Sequence, residues 1–259
     1  MSGRELLLYL SIKYEGDYQK LLDAITAKEK VKEEDVIERI KDVKCKYLTI
    51  LDEEYPDYLK HVYKPPIVLY YYGDISLLKA KNIKVAVVGS REASTYGIDV
   101  TKNLVTTLSK HDRIIVSGLA RGIDAVAHRT CIDNKAKTIA VLGSGIDYPY
   151  PNQNKDLYEI IKKDHLIISE YPGTVKPNPS NFPDRNRIVA GLCDKLLVTE
   201  GYKNSGTCIT AMYALQLGKD ILVVPYPFNQ NSCCNKLIQD GAFLIDSEKD
   251  VLDFSEKKY

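Results

Sequence analysis

The sequence predicts an α/β fold in which a doubly wound, mostly parallel sheet follows a small N-terminal helical module. Two observations predict it. Short β-branched runs recur at 85–88, 114–116, 138–142, 166–168, 196–198 and 221–224, with helix-length amphipathic segments between them. Strands alternating with helices bury their apolar faces as a parallel sheet covered on both sides, a Rossmann-like arrangement. Before residue 47, apolar residues recur instead at helical spacing, with polar or turn stretches between them.

Taken in order, Leu6, Leu7 and Leu10 mark a first helix, Tyr18, Leu21, Leu22 and Ile25 a second, and Val36, Ile37 and Ile40 a third. Pro65 and Pro66 then force non-helical backbone, and the apolar stretch 67–72 reads as a strand. The expected division is a helical module at 1–46, a connector with an extended segment at 47–83, and a Rossmann-like domain at 84–259. No repeat or low-complexity tract interrupts the chain.

Composition excludes several classes. The 259 residues are 44% hydrophobic and 27% charged, which rules out disorder, collagen and coiled coil. Thirty-six basic residues against 35 acidic leave a formal charge of +1, so any polyanion site must be a local patch. The longest apolar runs fall well short of a membrane span, and the Met-Ser-Gly-Arg-Glu start lacks a secretory pattern, so a cytoplasmic protein without a membrane partner is expected. The six cysteines form no Cys-x-x-Cys pair and have no histidine at ligand spacing, which favours reduced thiols over zinc. Cys233 and Cys234 are adjacent and read as packing or loop residues.

In a doubly wound sheet the ligand crevice lies beyond the carboxyl ends of the strands, where helix N-termini present unpaired N–H groups. Following the runs in turn gives Gly89-Ser90-Arg91, then Ser117-Gly118-Leu119-Ala120-Arg121-Gly122-Ile123-Asp124, then Gly143-Ser144-Gly145, Ser169-Glu170-Tyr171, and Glu200 with Ser205-Gly206-Thr207. Turn geometry alone explains glycines there, but it requires neither Arg91 nor Arg121. Guanidinium groups beside hydroxyls and bare amides suit phosphate oxygens. The dinucleotide fingerprint and the Walker lysine loop are both missing, which removes ordinary dehydrogenase and ATPase readings. In Phe182-Pro183-Asp184-Arg185-Asn186-Arg187 the two arginines diverge around a helix, so one can meet ligand while the other pairs with Glu170 or Glu200.

Together these residues resemble the DNA-processing protein A family (DprA, also called Smf). The likeness runs from Asp52, Tyr55-Pro56, Leu59, Pro65-Pro66 and Gly73 through the segments above, including Ala127-His128 and Tyr150-Pro151, to Asn235-x-Leu237-Ile238 and Gly241-Ala242. Any one tripeptide is weak; so many in order are specific. The resemblance implies a cytoplasmic protein of bacterial natural transformation that binds single-stranded DNA, forms a homodimer and helps load the recombinase RecA, with no cofactor and no catalytic turnover. It also implies a C-terminal winged-helix-like domain in some members, expected to be absent from a chain that ends at Tyr259. Two departures stand out: Tyr226 and Cys233 occupy places where similar members usually carry glycine, a cost of roughly 1 kcal/mol or more if those turns need positive φ.

Binding a single strand without sequence preference takes a basic groove and aromatic faces. Arg91, Arg121, Arg185 and Arg187 are the expected groove cations, with Lys176 extending it. Ser90, Ser117, Gly118, Gly122, Ser144 and Asn186 are expected to supply polar side chains and amides, and Tyr171 and Phe182 stacking faces. A hydrolase built on Ser117, Asp124 and His128 is rejected, because no nucleophile elbow is present. Asp124 instead suits holding an arginine or capping a helix, and His128 suits a packed, hydrogen-bonded role. The main rival is a nucleotide sensor or phosphoribohydrolase-like enzyme using Glu200 near Ser205-Gly206-Thr207; a third reading is a pure interaction scaffold. Met212, Leu215, Leu237 and Ile238 suit either a dimer face or, as the default, the core.

Overall fold

The computed structural model describes residues 1–228 and 230–256. Three helices open the chain: α1 (Gly3–Lys13), α2 (Tyr18–Thr26) and α3 (Glu33–Ile40). Ser2 and Glu5 form a capping box that satisfies the first amides of α1, and Asp17 caps α2 through Lys20 N–H. Leu10, Leu21 and Ala24 hold α1 and α2 together as a small core of their own.

The sheet has nine strands: β1 (Lys46–Thr49), β2 (Val68–Gly73), β3 (Lys84–Gly89), β4 (Ile114–Ser117), β5 (Thr138–Leu142), β6 (Leu166–Ser169), β7 (Lys195–Glu200), β8 (Asp220–Val223) and β9 (Phe243–Leu244). Their spatial order is β1-β2-β6-β5-β4-β3-β7-β8-β9. The pairs β1–β2 and β2–β6 are antiparallel and the rest are parallel. Each of the six β-branched runs forms a strand. The connector's apolar stretch does too, and it is sheet rather than spacer: Tyr70 to Gly73 pair directly with Ser169 to Leu166.

Alternation along the strands sorts the helices between two faces. Val85 and Val87 of β3 pack with α4 (Thr95–Lys110), α5 (Ile123–Asp133) and α10 (Glu248–Glu256). Ala140 and Leu142 of β5 meet α6 (Lys155–Asp164) and α1 on the same side. Ala86 and Val88 look the other way, toward α7 (Asn181–Leu192), α8 (Gly206–Gln216) and α9 (Cys234–Gln239). The chain winds outward from β3 through β4 and β5 to β6. Helix α7 then carries it back across the opposite face, so that β7 joins the other side of β3. This reversal is a topological switch point, where the loops leaving β3 and β7 diverge and open a crevice.

Two expectations change, and one holds for Leu237 and Ile238. Met212 and Leu215 are 49% and 68% exposed, so they lie on the outer face of α8 and not in the core. Leu237 and Ile238 are partly buried against the core. Neither Tyr226 nor Cys233 has positive φ: Cys233 caps α9 at φ −85° and Asn235 clamps the Tyr226 backbone at 2.8 and 2.7 Å, so no left-handed strain arises there.

Candidate nucleic-acid interface

The rim is built from the end of β3 outward. Gly89 is obligatory because a Cβ there would stand 2.5 Å from Ile123 Cγ1 and 2.6 Å from Glu200 O. Beyond it Ser90 is tied down: its N–H donates to Glu200 O (3.0 Å), its carbonyl accepts from Ile123 N–H (3.1 Å) and its Oγ accepts from Glu92 N–H (3.0 Å). Gly122 faces that turn at φ +70°, where a side chain would collide with the Ser90 carbonyl. The backbone is thus fixed up to Arg91, whose side chain emerges into solvent. Arg121, on the loop after β4, is exposed beside it.

Beneath these two arginines lies a support layer. Ser117 is fully buried and donates to Val87 O (2.7 Å). Asp124 accepts from Gly118 N–H (3.1 Å) and Ala120 N–H (3.3 Å), fixing the loop that carries Arg121. Arg185, 4% exposed on the first turns of α7, donates to the carbonyls of Gly118 and Val141 at the ends of β4 and β5. Burial holds its pKa below the usual guanidinium value while Asp124 opposes that shift. Burial likewise raises the Asp124 carboxyl, with Arg185 opposing. Next along α7, Asn186 donates to Gly206 O (3.2 Å) and ties α7 to the start of α8.

Aromatic surface completes the cleft. The guanidinium of Arg91 lies 4.9 Å from the centroid of the Phe182 ring, and Tyr150 stacks obliquely on the same ring at 5.7 Å. Ser90, Arg91, Arg121, Phe182, Arg185 and Asn186 therefore line one cleft of about 660 Å³, with Ser205, Gly206 and Thr207 forming its far wall. A second hollow of about 630 Å³, bordered by Tyr148, Gln153 and Lys155, shares Arg121 and Tyr150 with it. Neither Tyr148 nor Tyr150 is among the expected site residues, Tyr150 being named only for the family likeness. Their Tyr-Pro-Tyr-Pro setting was the available signal, an aromatic pair held in extended backbone.

The remaining expected residues lie elsewhere. Arg187 is 1% exposed and forms a forked pair with Glu170 at 2.8 and 2.6 Å, the alternative foreseen for one of the two arginines. Tyr171 is 5% exposed and packs against Gly16 of the N-terminal module, which makes it a packing residue and not a stacking face. Ser144 is also buried, donating to Tyr148 O (2.9 Å). Lys176 is exposed, but it borders a different cleft of about 840 Å³ between the 172–181 loop and the helical module. Ser117, Gly118 and Gly122 shape the rim from behind.

His128 is buried and neutral, its Nδ1 bonded to Thr138 Oγ1 (2.7 Å) and its pKa pushed down to about 3 by burial. Glu200 accepts from Ser94 N–H and Oγ (3.0 Å each) and from the Tyr226 hydroxyl (3.2 Å). Among the described residues no cluster of histidine, cysteine or carboxylate side chains suits a metal ion, and no helix is long and apolar enough to cross a membrane.

A sequence model of the family described as DNA recombination-mediator protein A matches residues 46–256. DNA processing protein DprA of Streptococcus pneumoniae is 43% identical over 206 residues, covering 79% of this chain and 72% of that protein. The crystal structure of that organism's DNA processing protein A superposes with a TM-score of 0.80 at 36% identity, covering 98% of this chain and 94% of the other. DNA processing protein A of Helicobacter pylori, described for its single-stranded DNA binding mode, superposes at 0.73 with 29% identity, over 82% of this chain and 96% of the other. Sequence and fold agree, and the chain belongs to the DNA recombination-mediator protein A family.

Proposed function

We propose that this chain binds single-stranded DNA in the cleft at the switch point and, as a cytoplasmic homodimer, passes it to RecA without catalytic turnover. One observation carries the reading: two exposed guanidinium groups flank a Phe182–Tyr150 aromatic pair in an open trough, walled by the N-terminus of α8. Phosphates run along Arg91 and Arg121, and bases stack on the rings, which need no particular sequence. Ser90, Gly118, Gly122 and Asn186 set the distance of the backbone from the strand, while Arg185 holds the two loops in register. The Helicobacter relative's single-stranded DNA binding mode supports the same ligand here.

The rival nucleotide enzyme would use Glu200 as its acid or base. That carboxylate is occupied with Ser94 and Tyr226, which favours the binding reading.

The test is retardation of a labelled single-stranded oligonucleotide over a salt series, with wild type, Arg91→Ala and Arg121→Ala. Each variant is expected to bind more weakly at an unchanged fold. Its log–log salt slope should fall by about 0.7 for each phosphate the variant no longer neutralises. Equal retardation by all three proteins refutes the site.

A further inference from the structure

Three thiols gather around the turn after β7, at the starts of α8 and α9, outside the residues given to the strand. Cys208 lies in the first turn of α8 and is half-buried, while Cys233 and Cys234, 5% and 0% exposed, start α9. All three converge on the turn after β7. Cys233 N–H donates to Gly201 O (2.9 Å), and its Sγ lies 2.7 Å from where a Cβ on Gly201 would stand. The Cys208 thiol donates to Tyr202 O (3.3 Å), and a bridge between Tyr202 and Ser232 fastens the two segments together. The Cys208 and Cys233 thiols therefore sit against successive residues, Tyr202 and Gly201, of one turn. The other three cysteines are solitary by contrast: Cys45, Cys131 and Cys193 are buried, and burial pushes each thiol up to about 12.

We propose that Cys208 and Cys233 form a peroxide-responsive dithiol, closing to a reversible disulfide that locks residues 230–234 onto the first turn of α8. Solvent reaches Cys208 before the other two, so the first step belongs there. Its thiolate attacks one oxygen of hydrogen peroxide, the O–O bond breaks, and the departing hydroxide takes the thiol's proton as water, leaving a sulfenic acid. Cys233 sulfur then attacks the Cys208 sulfur, and the sulfenic hydroxide leaves with the Cys233 proton as a second water. Two thiols and one peroxide give one disulfide and two waters. A Cys233–Cys234 bond does not compete, because adjacent residues rarely reach relaxed disulfide geometry. The proposal is independent of what the cleft binds.

The test exposes the folded protein to hydrogen peroxide, quenches with an alkylating reagent, then counts free thiols and maps linked peptides. Wild type is expected to lose two of its six thiols together, to yield a peptide joining Cys208 to Cys233, and to regain both on reduction with dithiothreitol. Cys208→Ser is expected to lose none at the same dose, and Cys234→Ser to keep the Cys208–Cys233 link. Three results each overturn the proposal: six free thiols in treated wild type, a bond mapped to any other pair, or over-oxidation of Cys208 with no linked partner. The wild-type map decides the matter even if a variant fails to fold.

Discussion

Replacing Arg187 with alanine separates support from contact. Its guanidinium is 1% exposed, forks onto both oxygens of Glu170, and donates through Nε to Tyr63 O and Lys64 O at 2.9 Å each. Truncation leaves the Glu170 carboxylate, itself 6% exposed, without its counter-ion. Removing one partner of a buried pair costs about 3–5 kcal/mol, and the missing carbonyl bonds and the cavity favour the upper end. At roughly 2–4 °C per kcal/mol for a chain of this size, the unfolding midpoint should fall by about 6–20 °C. The double variant Glu170→Gln/Arg187→Met should recover much of that loss, because the desolvation cost of two ions disappears along with their attraction. Arg187→Lys should not, since an ammonium cannot reproduce the fork. Thermal unfolding followed by circular dichroism gives the midpoints, and oligonucleotide retardation well below them gives binding. An Arg187→Ala protein that unfolds like wild type but no longer retards the strand would overturn the supporting role and return Arg187 to the binding surface.

Acid should destabilise the fold partly through His128. Its folded pKa, about 3, lies below the unfolded value of 6.5, so the unfolded chain binds more protons between them; stability is full above pH 6.5 and is lost as pH falls toward 3. The limiting slope is about 1.4 kcal/mol per pH unit, and burial of His165 adds to it with the same sign. Urea melts from pH 7 to 5, above the range of most carboxylates, should show a flatter dependence in His128→Gln; identical slopes would remove His128 as the cause. Lys176→Ala should leave retardation and its salt slope unchanged, because Lys176 borders the cleft beside the helical module and not the one holding Arg91. A slope reduced as much as in Arg121→Ala would extend the strand's path across the 172–181 loop.

The interior strands were legible because strands buried on both faces must be continuously apolar, and runs such as 138–142 and 196–198 meet that need. The edges were not: β1, Lys46–Thr49, mixes a charge with an aromatic, and β9 is only Phe243–Leu244, so pairing with a neighbour defines both. The site divides in the same way. Strand ends put Ser90, Arg91 and Arg121 on one rim, because topology alone decides where a β-strand's following loop emerges. Which way a side chain then points depends on packing across the third dimension. Arg185 and Arg187 stand two apart on α7, roughly 200° around a helix, so that when α7 crosses beneath β4 and β5 one meets the carbonyls of Gly118 and Val141 while the other turns toward Glu170. Nothing local to Tyr171 says that the module at 1–46 will dock there and bring Gly16 against its ring, burying it. Phe182 escapes that fate because α7 begins at the open end of the sheet, with Arg91 and Tyr150 against its ring. Two aromatics with similar proline-rich surroundings thus take opposite roles, and the position of the strand or helix they adjoin decides between them.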